Sequence, residues 1–188
     1  MVIGGSTGSL DVVIPVLTAL QPPLTFALVL VVHRKNTANT TLANLLSIKT
    51  TLPVQEVDDK DVLTPGHIYL APADYHLLVE QNGFFSLDDS EKIHYSRPAI
   101  DVTFESVADV YGPAVVGILL SGANADGTKG LMAIKKAGGI TVAQDPATAQ
   151  VGYMPQQAID SEAVDWVFAI PELTQFIRQL NNANLAQR

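Results

Sequence analysis

The sequence predicts an α/β fold: a doubly wound, mostly parallel sheet with helices on both faces and an antiparallel edge hairpin near residues 76–87. Three observations predict it. Strand-length apolar runs alternate with helix-like segments, the pattern of βαβ units. The run 24–32 is almost continuously apolar and rich in β-formers, as a central strand buried on both faces must be. The runs 76–81 and 84–87 flank Asn82-Gly83, the strongest short hairpin signal.

The elements follow in order. Val2-Ile3 form a short strand that runs into Gly4-Gly5-Ser6-Thr7-Gly8-Ser9. A helix is expected over 10–20, where Pro15 must kink it or move its start later. After the strand 24–32 comes a helix over 40–46, with threonine hydroxyls available as caps. Strands are expected at 54–57 and 68–71, before the hairpin. Over 98–110, Ile100, Phe104, Val107 and Val110 recur at helical spacing. A strand at 114–120 precedes a helix over 131–137, which stops at Gly138-Gly139. A strand at 140–143, a helix opening at Met154-Pro155, a strand at 166–169 and a helix over 171–180 complete the pattern, and a polar tail follows.

The chain has 188 residues, 47% hydrophobic and 16% charged, which suits one domain over 1–188 with a sizeable core. No apolar run approaches the roughly 20 residues of a membrane helix. No basic stretch precedes an apolar one as in a signal peptide. The expectation is a cytoplasmic protein with no direct membrane insertion. The absence of cysteine excludes disulfides, thiolate nucleophiles and Cys-ligated zinc. A net charge of -8 repels nucleic acid and anionic membrane surfaces. The densest basic group, Lys129, Lys135 and Lys136, falls on an expected helix and reads as a solvated face.

In open α/β sheets, functional groups collect in loops at the carboxyl ends of strands. Three reactive residues lie there. Ser6 follows the first strand, His33 the second, and Asp126 the strand 114–120, within Ser121-Gly122-Ala123-Asn124-Ala125-Asp126-Gly127. Ser6 sits in a literal G-x-S-x-G, a bend whose glycines let the hydroxyl point outward. The helix start that follows offers free N–H groups to an oxyanion, with Thr7 N–H one donor. Asp126 is placed to hold the Nδ1–H of His33 and stabilise the imidazolium, with Ser6 Oγ within hydrogen-bond reach of His33. Each residue also has a plain structural reading: a flexible turn, a strand-end histidine, and an aspartate capping the helix after Gly127. The coincidence of three triad members on three strands of one sheet favours the chemistry.

The glycine turn has two other candidate tenants. A dinucleotide site expects an acidic residue at the end of the second strand, where this chain has His33-Arg34. Arg34 suits a 2′-phosphate, so an NADP-dependent oxidoreductase stays open, although no Tyr-x-x-x-Lys pair follows. A P-loop fails because no Gly-Lys-Ser/Thr follows the glycines. The chain order Ser, His, Asp also departs from the Ser, acid, His order of the α/β-hydrolases. Arg97 and Asp101 read as a surface pair, with substrate binding as the alternative, and His67, His76 and His94 as edge residues remote from the site. Residues 144–155, with Tyr153, read as one wall of the cleft.

Six stretches in order, VIGGSTGS, VVHR, PGHIYLAPADYHLLV, RPAIDVTFESVA, GILLSGANADGTKGL and TVAQDPATAQVGYMPQQAI, resemble the catalytic domain of the chemotaxis protein-glutamate methylesterase family. The resemblance runs from about residue 2 to about residue 180. It implies Ser6 as nucleophile, His33 as base and Asp126 as acid, with no metal and no organic cofactor. It implies hydrolysis of glutamyl methyl esters with release of methanol, in some members also deamidation of glutamine. The implied partner is the methylated cytoplasmic region of a chemoreceptor or a similar methylated protein. The alternative within the family is an inactive docking module. Typical members carry a receiver domain, not expected in this chain, so a separate response regulator is the alternative partner. The sequence departs from the family pattern at Ser9, where glycine is usual, at Arg34-Lys35 after His33, and at Ala123, where the family has a methionine bordering the oxyanion region.

Overall fold

The computed structural model describes residues 1–34 and 41–186. In chain order its strands are β1 (Val2–Gly5), β2 (Leu28–Val32), β3 (Val54–Glu56), β4 (Ile68–Leu70), β5 (His76–Val79), β6 (Phe85–Asp88), β7 (Val116–Leu119), β8 (Ile140–Gln144) and β9 (Trp166–Phe168). The helices are α1 (Leu10–Ala19), α2 (Thr41–Ser47), α3 (Ile100–Tyr111), α4 (Thr128–Lys136), α5 (Tyr153–Asp160) and α6 (Ile170–Ala186). Among the described residues, seven strands form one sheet in the order β3-β4-β2-β1-β7-β8-β9. Every pairing in it is parallel. The chain winds outward from β1 in both directions, which is the doubly wound arrangement.

Both faces of the central strands are buried, as a parallel sheet requires. Val29 and Val31 of β2 join Ile100, Phe104, Leu131 and Met154 on one side. Leu28 and Leu30 join Val13, Leu17, Leu46, Leu173 and Ile177 on the other. This alternation explains why the run 24–32 lacks polar residues except Thr25, which is itself buried. Among the described residues, no helix is long and apolar enough to cross a membrane.

The elements differ from expectation in three places. Helix α1 starts at Leu10 and runs through Pro15. The carbonyl that loses its partner belongs to Asp11, and both residues are exposed, so water satisfies it. The hairpin β5–β6 forms, but as an antiparallel sheet of its own. Its apolar residues Leu77, Val79 and Phe85 are drawn under α3, where Thr103 donates to the Leu77 carbonyl at 2.7 Å. The expected polar tail is helical to Ala186. Asn181, 5% exposed, accepts from the Thr25 N–H and hydroxyl and fixes α6 to the loop before β2. The expected helix start at Thr40, together with Lys35 and the last two residues, lies outside the described residues.

Helix α3 packs closely on α4. A Cβ added to Gly130 meets Phe104 Cβ at 2.4 Å and Asp101 Cα at 3.2 Å. Gly130→Ala gains up to about 1 kcal/mol of helix propensity but overpacks by about 1–3 kcal/mol. A net loss of stability in urea unfolding is therefore expected. A more stable variant would show that α3 and α4 are not in tight contact.

Candidate active site

The sheet order brings the carboxyl ends of β2, β1 and β7 side by side. Gly5 pairs with Val32, so Ser6 and His33 stand one register step further on, at the ends of adjacent parallel strands. The His33 N–H donates to the Gly5 carbonyl at 3.0 Å, and the Ser6 N–H donates to the Ser121 carbonyl at 2.8 Å. Gly8, at φ +81, turns the chain into α1, and a Cβ there meets Gln150 Cβ at 2.5 Å. The buried Ser121 hydroxyl donates to the Thr7 carbonyl at 2.7 Å and accepts from the Val151 N–H at 2.9 Å. One side chain thus binds together the three loops around Ser6.

His33 and Asp126, 93 residues apart in sequence, meet at 2.7 Å through Nε2 and Oδ2. The carboxylate takes Nε2 rather than the Nδ1 that the sequence reading assigned to it. The cause is topological. Asp126 lies beyond β7, two strands from β2, so its carboxylate meets the ring nitrogen farther from the main chain. Nδ1 instead has Ser96 Oγ at 3.3 Å, and no hydrogen bond joins Ser6 Oγ to His33 among the described residues.

Asp126 is fully buried. It does not cap its own helix. Its Oδ2 accepts from the Ile100 N–H at 2.7 Å and its Oδ1 from the Asp101 N–H at 2.9 Å, so it caps α3. Ala99, at the N-cap of α3, has no side-chain acceptor to do this. Asp101 returns the arrangement: its Oδ1 accepts from Gly127 and Gly130 at 2.9 and 2.8 Å and caps α4. Each helix is capped from the other's start, where the exposed amides and dipole favour negative charge.

The two carboxyls titrate differently. Burial raises both, but at Asp126 the hydrogen bond from His33 and the amides of Asp101 and Ile100 outweigh it, so the carboxyl stays below its usual range. At Asp101 burial prevails over the Gly130 and Gly127 amides, the Asp126 charge adds to it, and the carboxyl is pushed up to about 6. His94 Nε2 lies 3.6 Å from Asp101 Oδ2. His94, Asp101 and Asp126 bring ligand-type atoms within 4.8 Å of one another. The carboxylate oxygens of Asp126 and Oδ1 of Asp101 are already filled by protein donors, which suits anchoring rather than cation binding.

A cleft of about 440 Å³ opens beside His33, lined by Arg34, Asp74, Lys92, Tyr95, Ser96 and Arg97. The segment after β6 walls it on the His33 side, while 144–155 borders the Ser6 turn, with Gln150 against Gly8 and Val151 bonded to the Ser121 hydroxyl. Arg97 does not pair with Asp101; it donates to the carbonyls of Asp89 and Ser90. Arg34 pairs with Glu56 at 2.8 Å. His76 and His94 are not remote: His76 Nδ1 accepts from the Ala99 N–H beside α3, and the His94 carbonyl accepts from Asn124. His67 is half-buried before β4, with Nδ1 3.3 Å from the Pro65 carbonyl. Thr7 is exposed in the turn, and its N–H makes no hydrogen bond among the described residues. Ala123 is exposed in the loop after β7, and Tyr153, 51% exposed, opens α5. No hydrogen bond or ring contact joins Ala123 or Tyr153 to Ser6, His33 or Asp126 among the described residues. Sequence reading missed Ser96, a lone serine before Arg97-Pro98 with no motif to mark it.

These features define a doubly wound α/β domain with a histidine–carboxylate pair and a serine-bearing turn at the switch point of its sheet. The chain belongs to the CheB methylesterase family, whose model matches residues 1–177. A relative from Leptospira interrogans is 35% identical over 188 residues, all of this chain and 97% of its own length. Relatives from Thermotoga maritima (39% over 181 residues, 92% of this chain) and Halobacterium salinarum (36% over 181 residues, 94% of this chain) are named protein-glutamate methylesterase/protein-glutamine glutaminase. The chain spans 52% of the length of each of those two. The crystal structure of the Thermotoga maritima CheB methylesterase catalytic domain matches with a TM-score of 0.91 at 34% identity, covering 95% of this chain and 96% of that one.

Asp101 makes stability depend on pH with a definite sign. Its folded pKa lies above the ordinary 3.8, so the unfolded chain releases this proton first as pH rises. Asp101 therefore lowers stability between about pH 4 and about pH 6, by on the order of 1–3 kcal/mol. Urea unfolding across that range should show the wild type losing stability relative to Asp101→Asn. Parallel curves would contradict the assignment.

Proposed function

We propose that this chain is a cytoplasmic serine hydrolase that removes methyl esters from glutamate side chains of a chemoreceptor-type protein, releasing methanol, and deamidates glutamine by the same route. The observation that carries this reading is the 2.7 Å His33–Asp126 pair, built on a buried carboxylate one strand away from Ser6. Asp126 is an acceptor when ionised, so Nε2 carries the proton and Nδ1 is the basic nitrogen. Ser6 Oγ attacks the ester carbonyl as Nδ1 takes its proton. The Thr7 N–H, which has no hydrogen bond among the described residues, is the donor for the developing oxyanion. The imidazolium, stabilised by Asp126, protonates the departing methoxide. Water then enters, loses a proton to Nδ1 and cleaves the acyl-Ser6 ester, freeing glutamate. With glutamine the leaving group is ammonia. These steps use no metal and no organic cofactor.

The reading is tested by mass spectrometry of methyl-esterified receptor peptides incubated with the protein. Ser6→Ala and His33→Gln should each lower the turnover by 10³-fold or more, and Asp126→Asn by about 10³–10⁴-fold. The Ser6→Ala variant should unfold at the same urea concentration as the wild type. Undiminished demethylation by folded Ser6→Ala would overturn the mechanism.

A further inference from the structure

We propose that Ser96 is a positioning residue that competes with Ser6 for His33 Nδ1, and so governs when the nucleophile is activated. This rests on the assignment of Ser6, His33 and Asp126 made above. Asp126 occupies Nε2 at 2.7 Å, which leaves the ring one lone pair, at Nδ1. Ser96 Oγ stands at 3.3 Å from that nitrogen. A lone pair takes one full hydrogen bond, so Ser6 delivers its proton only when Ser96 has turned away.

The surroundings of Ser96 make that exchange easy. Its hydroxyl has a second acceptor within reach, the His94 carbonyl at 3.4 Å, so rotation about one bond trades one partner for another. The turn that carries it is tight: Ile93 and Ser96 exchange both backbone hydrogen bonds. His94 and Tyr95 between them sit at φ 49 and φ 59, left-handed conformations that side chains rarely adopt. The base of the turn is tied down, with Asn124 Nδ2 donating to the His94 carbonyl and Arg97 to the carbonyls of Asp89 and Ser90. The tip is not: Tyr95 is 99% exposed. Ser96, Tyr95 and Lys92 line the same cleft as His33, so a protein segment filling it contacts this turn. Occupancy of the cleft and release of the base nitrogen are thereby linked.

The test uses a small alkyl fluorophosphonate, which reacts at an activated serine without filling the cleft. Removal of the competing hydroxyl in Ser96→Ala should speed labelling of Ser6 by about three- to tenfold, the weight of one net hydrogen bond. Ser96→Thr, which keeps a hydroxyl, should label at the wild-type rate. In ¹⁵N-histidine-labelled protein, the Nδ1 resonance of His33 should move in Ser96→Ala and stay in Ser96→Thr. A purely structural role predicts slower labelling in both variants and no selective shift at Nδ1. Equal or slower labelling of Ser96→Ala, with Ser6 labelled in the wild type, overturns the competition alone. No labelling of wild-type Ser6 overturns the hydrolase assignment, and the competition with it.

Discussion

The site depends on two carboxylates exchanged between two helix starts. Asp126, from the loop before α4, closes the N-terminus of α3; Asp101, on the first turn of α3, closes the N-terminus of α4. Neither helix has a side-chain cap of its own. Buried polar groups left unmet cost about 1–3 kcal/mol each, so the exchange fixes both helices and the position of Asp126 together. Asp126 is thereby available to His33 as a charged, immobile acceptor. The close contact at Gly130 and Phe104 serves the same end, because the caps reach only while α3 and α4 stay this near.

In the proposed mechanism the arrangement also sets which histidine nitrogen acts as base. The hydrogen bond from His33, with the amides of Asp101 and Ile100, keeps Asp126 ionised in spite of its burial, and an ionised carboxylate fixes the proton of His33 on Nε2. That leaves Nδ1, with Ser96 Oγ at 3.3 Å, as the base in the proposed mechanism. The Nε2–Oδ2 contact therefore favours the reverse of the tautomer that a carboxylate on Nδ1 would give.

Much of this was legible in the sequence. The unbroken apolar run before His33 announced a doubly buried strand, and Asn82-Gly83 announced the hairpin. The placement of Ser6, His33 and Asp126 at one edge was legible because a parallel sheet delivers strand-end residues there. What the sequence hid were contacts that no local pattern encodes. Asp126 before Gly127 looks like a cap for the next helix, and only the packing of α3 on α4 redirects it. Asp101 looks like an ordinary first-turn acid. Ser96 and His94 lie in a polar segment whose return to His33 is set by the placement of the β5–β6 hairpin under α3. That hairpin was legible as a hairpin but not as a separate sheet, because its burial comes from α3 and not from a strand neighbour.

The central claim is that Ser6 is the nucleophile and Nδ1 of a histidine held at Nε2 by Asp126 is its base. A crystal structure of the protein after reaction with a fluorophosphonate tests it most directly. The account predicts phosphorus bonded to Ser6 Oγ, His33 Nδ1 turned toward that oxygen, and the Nε2–Asp126 contact retained. Phosphorus on Ser96, or a ring that presents Nε2 to the modified serine, would contradict it.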